Sequence, residues 1–352
     1  MLEWIYAANQ EAASYFINAL CSTTDAIDYL RDRGLDDKMI RRSWAGYADG
    51  YLTSHLRSLG YTDDILIGAG LSIRGEDGQL FDRFRKRVMF PVFDWNYRIV
   101  GFSGRLIADN PDAAKYLNTP ATQVFQKGNV LFGWNDMCWA TGFQLGTSQK
   151  LPYLIMCEGN LDVVSLHQAG FNQSAASLGT AFTKEQAAMI EKITGLVVLA
   201  YDSDKAGMAA TKRNIAILRQ AGVRSRVLII KGAKDPDEYL KKFGPEAFRG
   251  LLSGAIPSYE WEMLYAEQKI MDGQDDFLRW GEPAAYTRAQ EEAMKAFGDE
   301  FLALDVRSKD HLDGYAWLLS ERYPWLKKDS ILGYINTYML SNFMPEGPGK
   351  TA

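Results

Sequence analysis

Cysteine and histidine are scarce in this 352-residue chain. Cys21, Cys138 and Cys157 lie as far apart as His55, His167 and His311, and there is no CxxC pair. That excludes a zinc site built from closely spaced ligands and a disulfide framework. It also points to a reducing cytoplasm as the location. Long apolar runs are missing too. No stretch approaches the roughly 20 residues needed to span a bilayer, so no membrane association is expected. In MLEWIYAANQEAASYF, Glu3 stands where a secretion signal would carry positive charge. Positive charge is in short supply overall: 39 Lys and Arg against 44 Asp and Glu leave a net charge of −5, a mild argument against wholesale nucleic-acid binding. There is no internal repeat or low-complexity tract.

The composition is ordinary for a globular protein, 47% apolar and 24% charged, and the length suffices for two or three domains. The informative stretch runs from Leu151 to Asp237. LPYLIMCEGNLDVV, LVVLAYDSDKAG and VLIIKGAKDPDE are each a short apolar run, of the kind that makes a buried strand, ending in carboxylates. The first delivers Glu158 and Asp162, the second Asp202 and Asp204, the third Asp235 and Asp237. Helical patterns alternate with these runs, and Thr183 and Gln186 are spaced as a capping box. Such alternation predicts an α/β fold with a mostly parallel sheet flanked by helices, whose ligands sit beyond the carboxyl ends of the strands. Two bare carboxylates about 4 Å apart repel by roughly 1 kcal/mol in water and about 4 kcal/mol at an effective dielectric near 20. Five or six cannot share a cleft unless protonated or holding metal. Ligands that are all oxygen suit Mg²⁺ or Mn²⁺, not zinc.

A second charge feature precedes the acids. Between Arg83 and Lys127 eight basic residues face three acids, a local excess of +5, and a polyanion feels the patch in front of it rather than the whole-chain sum. RVMFPVFDWN and YRIVGFSGRLI read as a hairpin turning at Asp94 to Asn96, with Pro91 marking an edge or a bulge. Basic residues beside Gly, Asn and aromatics suit phosphate and single-strand contacts, although a basic sheet edge also fits. Residues 1 to about 60 read as helical, with most of the charges, among them those of DDKMIRRSW, expected on solvated faces. NVLFGWNDMCWATGF reads as an amphipathic helix whose Trp134 and Trp139 belong in a core. The expected layout is a mixed α+β part over 1–150, the acidic domain over 151–250, a helical part over 251–340 and a disordered tail over 341–352.

EGNLDVVSLHQAG, SLGTAFT, YDSDKAG and KDPDEY resemble the TOPRIM signature of bacterial primases, type IA topoisomerases, OLD-type nucleases and recombination proteins. FDRFRKRVMFPVFDWNYRIVGFSGRLI, KYLNTPATQVFQKGNVLFG and YLRDRGL narrow the resemblance to the DnaG-type primase catalytic core, from about residue 10 to 245 and more loosely to about 335. The resemblance implies that Glu158, Asp202 and Asp204 are catalytic and hold metal, with Asp162, Asp235 and Asp237 completing the metal and triphosphate site. It implies that Arg33, Arg85, Arg87, Arg105, Lys115, Asn118 and Lys127 contact template or nucleotide. Thr119, Ala121 and Ser103 depart from the family pattern without removing a proposed ligand. The family's N-terminal zinc-binding domain and a full helicase-binding domain are not recognised. An excised core or a stand-alone primase of a bacterium, phage or mobile element is therefore expected.

The activity so implied is RNA primer synthesis on single-stranded DNA from NTPs, with two or three Mg²⁺ or Mn²⁺ ions and no zinc. A replicative helicase and a separate zinc-binding protein are the further partners implied. The alternatives are a TOPRIM nuclease, which has no reason to carry segment 82–133, and a non-catalytic single-strand-binding replisome component, against which the intact acids speak.

Overall fold

The computed structural model describes residues 1–107, 113–179 and 182–271, with a few isolated positions between 317 and 333. The chain opens with helices α1 (Leu2–Cys21), α2 (Thr24–Asp32) and α3 (Asp37–Arg42), then a short strand β1 (Gly46–Ala48) within the stretch expected to be helical. Helices α4 (Leu52–Ser58) and α5 (Asp63–Gly68) and the small hairpin of β2 (Ser72–Arg74) and β3 (Leu80–Asp82) follow. Next come β4 (Arg87–Phe93) and β5 (Ile99–Leu106), antiparallel as expected, and β6 (Tyr116–Asn118). The sheet order is β1-β4-β5-β6.

This sheet lies between two cores: the side-chain period of two divides β4 between them, and on β5 the alternation breaks at the register shift, so that Val100 and Phe102 belong to different cores. Val88, Phe90, Val92 and Val100 pack with residues of the second half of the chain. Met89, Phe93, Ile99 and Phe102 pack with Ile5, Ala8, Ala12 and Phe16 on one face of α1. Pro91 is tolerated because β1 pairs only with residues 87–89, and the register shifts just beyond it, between Val92 and Phe93.

Residues 127–129 form a 3-10 turn, and the helix of the next stretch is confined to α6 (Trp134–Thr141). Trp134 is core, but Trp139 is 77% exposed. The expectation of two core tryptophans therefore fails for Trp139, which lies beneath the Arg42 guanidinium, 5.3 Å from it. Arg42 does not sit on a free solvated face either: it bonds Asp136 at 2.8 Å, and Asp136 in turn bonds the buried His167.

The second sheet alternates strand and helix: β7 (Leu154–Cys157), α7 (Asn160–Gln168), β8 (Ser174–Ala176), α8 (Lys184–Ile193), β9 (Leu196–Leu199), α9 (Lys205–Gln220) and β10 (Arg224–Val227). Helix α10 (Pro236–Ser253), strand β11 (Ile256–Pro257) and helix α11 (Ser258–Met271) complete the described chain. The order is β11-β10-β9-β7-β8, with β10, β9, β7 and β8 parallel and β11 antiparallel at the edge. Ile155, Cys157 and Val198 face the core shared with the first sheet, while Leu154, Met156, Val197 and Leu199 face the other. The strand expected to continue to Ile230 ends at Val227. The expected helical region beyond Met271 and the tail fall outside the described residues, among which no helix is long and apolar enough to cross a membrane.

Candidate active site

Parallel pairing of β7 with β9 brings two acid-bearing strand ends side by side. Glu158 follows β7 directly, and its Oε1 accepts the backbone N–H of Asp202 at 3.2 Å. Helix α9 starts so close to both that a Cβ on Gly207 would lie 2.1 Å from the Asp202 carbonyl oxygen and 2.8 Å from Glu158 Oε1. Only glycine allows this approach. Burial first, then the charges of Asp202 and Asp204, push the Glu158 carboxyl up to about 7. Burial also raises Asp202, although Lys234, whose Nζ is 3.1 Å from Asp202 Oδ2, pulls the other way.

The remaining acids are placed by helix starts. Asp204 caps α9, accepting the N–H of Gly207 at 2.9 Å, and is exposed. Asp235 caps α10, accepting the N–H of Glu238 at 2.8 Å; the proline that follows holds it extended. Asp162 is buried at the start of α7. Its carboxylate accepts the N–H of Gly159 at 3.1 Å and that of Asp237 at 3.2 Å, fastening the turn after β7 to the start of α10. Burial and the neighbouring Asp235 charge raise it well above the usual carboxylate range. Asp237 bonds Ser165 and Lys241, each at 2.5 Å.

Opposite these acids stands a wall from the first half of the chain. Arg33, Arg105, Lys115, Asn118 and Lys127 line one cleft of about 520 Å³ together with Glu158, Asp162, Asp202, Asp235 and Asp237. Arg105 is held by the hydroxyls of Tyr29 and Tyr116 and stacks on the Tyr116 ring. The positive charge of Arg105, burial, and then Arg33 and Lys234 lower the pKa of Lys115, the mark of a cation cluster short of an anion. Asn118 crosses the cleft: its Nδ2 donates to the Leu178 carbonyl at 3.1 Å, while its buried Oδ1 has no partner among the described residues. Leu178 holds a left-handed backbone (φ 62°) to present that carbonyl, a costly conformation for a branched side chain.

Two of the basic residues are not in this wall. Arg87 is buried in β4 and donates to the carbonyls of Gly104, Lys115 and Ala114, so its guanidinium supports the sheet rather than facing the cleft. Arg85 points to solvent over Phe81 and bonds the Asp82 carbonyl. Asp204 is likewise outside the cleft lining. Conversely, Arg83, Asn160 and Lys234 line it although the sequence reading assigns them no site role, as does Ser103, noted only as a departure from the family pattern. Arg83 belongs to the basic run DRFRKR and Lys234 precedes DPDE, so each had a signal, but neither had a reason to be chosen over its neighbours.

Hard oxygen donors, a raised carboxyl at Glu158, and a glycine that lets a helix start close over them suit a divalent ion. Among the described residues no three His, Cys, Asp or Glu side chains are gathered closely enough to form a coordination shell; Asp204 and Asp235 are engaged as helix caps and Asp202 with Lys234.

Residues 15–138 match the family described as DNA primase catalytic core, N-terminal domain, and residues 155–240 match a Toprim-like family. Toprim-like domains generally bind divalent metals. A DNA primase of Clostridium acetobutylicum is 41% identical over 269 residues, covering 76% of this chain and 43% of that protein. The chain thus spans less than half the length of that relative. Among solved structures, the RNA polymerase domain of the Mycobacterium tuberculosis primase DnaG superposes with a TM-score of 0.73 at 28% identity, covering 90% of this chain and 98% of that one. A DnaG primase catalytic domain bound to single-stranded DNA gives 0.70 at 28% identity, covering 87% and 96%.

Proposed function

The chain is homologous to bacterial DNA primases across the N-terminal domain of their catalytic core and a Toprim-like domain, and from this we propose that it synthesises RNA primers on single-stranded DNA. The 3′-hydroxyl of one nucleotide attacks the α-phosphorus of an incoming NTP, and pyrophosphate leaves. The observation that carries the reading is the single cleft with cations on one wall and carboxylates on the other. A polyanion that arrives with bound cations needs both.

Glu158 and Asp202 would hold divalent cations, with Asp204 joining them once its cap loosens and Asp235 placed toward the triphosphate. When bound there, Mg²⁺ or Mn²⁺ lowers the pKa of the attacking hydroxyl and neutralises charge on the leaving pyrophosphate. Asp162 and Asp237, with their oxygens committed to backbone and side-chain donors, hold the two acid-bearing turns in register. Arg33, Arg105, Lys115 and Lys127 orient template and triphosphate against them. Among the described residues no histidine or cysteine lines the cleft, which supports an all-oxygen, non-zinc site. Free Cys21, Cys138 and Cys157 suit a cytoplasmic setting. A replicative helicase and a separate zinc-binding protein are the partners this reading adds.

Incubation with single-stranded DNA, labelled NTPs and Mg²⁺ or Mn²⁺ tests it. RNA products that lengthen with time, and disappear in Asp202→Asn with the fold intact, are expected. A shortened template with no new RNA would instead identify a nuclease.

A further inference from the structure

Lys234 lies where the acidic wall meets the basic one, and its surroundings single it out. Its Nζ is 3.1 Å from Asp202 Oδ2, yet the side chain is 56% exposed against 18% for Asp202. Its backbone is pinned: the carbonyl accepts the N–H of Ser203 at 3.0 Å, and its own N–H donates to Glu238 at 2.8 Å. The Asp202–Ser203 turn and residue 234 therefore keep station together while the ammonium stays free to swing. The other acids have different partners. Asp204 and Asp235 cap helices, Asp162 takes two backbone N–H groups and Asp237 takes Ser165 and Lys241.

We propose that Lys234 is the resident counter-ion of the acidic wall, leaving Asp202 for the triphosphate when a divalent cation arrives, and so couples cation binding to nucleotide binding. The inference rests on the nucleotidyl-transfer reading above and adds a coupling device to it. An ammonium and a doubly charged ion cannot both contact one carboxylate without strong repulsion. An ion pair whose ammonium is half-exposed to water can be exchanged. The released Nζ has a destination, because Lys234 lines the same cleft as Lys115, Arg105 and Arg33. Binding linkage is reciprocal, so a nucleotide that captures Lys234 must also tighten cation binding.

The test measures Mn²⁺ binding to the whole chain by paramagnetic resonance of the free ion, with and without a non-hydrolysable NTP analogue. Lys234→Met should bind Mn²⁺ about 2- to 5-fold more tightly than the parent without nucleotide. The extra tightening that the analogue gives the parent should shrink in this variant, and Lys234→Arg should restore it. Mn²⁺ affinity unchanged or weakened in Lys234→Met would overturn the exchange while leaving the primase reading in place. Mn²⁺ binding in the parent that survives Asp202→Asn would put the cation elsewhere and overturn both.

Discussion

Single side chains decide the chemistry, and Glu158 carries a pH signature. Its carboxyl is raised from 4.5 to about 7, so between these values the folded protein keeps a proton that the unfolded chain has released. Stability of the cation-free protein should therefore fall as pH rises through that window. Asp202 and Asp162 are raised as well and add to the same slope. Glu158→Gln should flatten the fall in part and be more stable than the parent at pH 8, the two converging near pH 4. Denaturant midpoints measured in chelator across that range check this, and parallel profiles would count against it. Arg87 and Lys127 make a second contrast, since sequence gives both a charge but only the structure gives a direction. Arg87→Met strips three carbonyls of a buried donor and should cost roughly 2–3 kcal/mol of stability while leaving template affinity of the folded fraction unchanged. Lys127→Gln should do the reverse, keeping stability within about 0.5 kcal/mol and reducing the logarithmic salt slope by about 0.7 for each phosphate it no longer neutralises.

At the scale of elements, the parallel strands announced themselves because apolar runs ending in acids combine two signals, burial and ligand placement, at one point. The Thr183 and Gln186 box was equally readable, and both bonds are present. What it does for the site was not. Gln186 Nε2 also donates to the carbonyls of Lys127 and Val130, and Thr183 Oγ1 to that of Gly128. The start of α8 thus holds the turn that presents Lys127, across 55 or more residues of chain. Gln186→Ala should lower stability by roughly 1–3 kcal/mol and weaken nucleotide or template binding with the salt slope preserved, since no charge is removed. A flattened slope in that variant would contradict the positioning role. Trp139 and Arg42 depart from expectation for the same reason that the site role of Gln186 is not legible: periodicity shows which residues share a helix face, not which distant element that face meets.

For the whole molecule, a net charge of −5 coexists with a cleft that gathers phosphate-binding cations, because Arg33, Arg105, Lys115 and Lys127 are brought to one place. Sequence showed both clusters, and the core that Val88, Phe90 and Val92 share with Ile155 and Val198 joins the two parts that carry them. Asn118 reaching to Leu178, and the grip of α8 on residues 127–130, add hydrogen-bonded ties between the two sides of the opening. A ligand that grasps both sides at once becomes a cross-tie. Heating the protein with an NTP analogue and Mn²⁺ together should then raise the melting temperature by more than the sum of the two added singly, as a clamp tightens only when both jaws are closed on something.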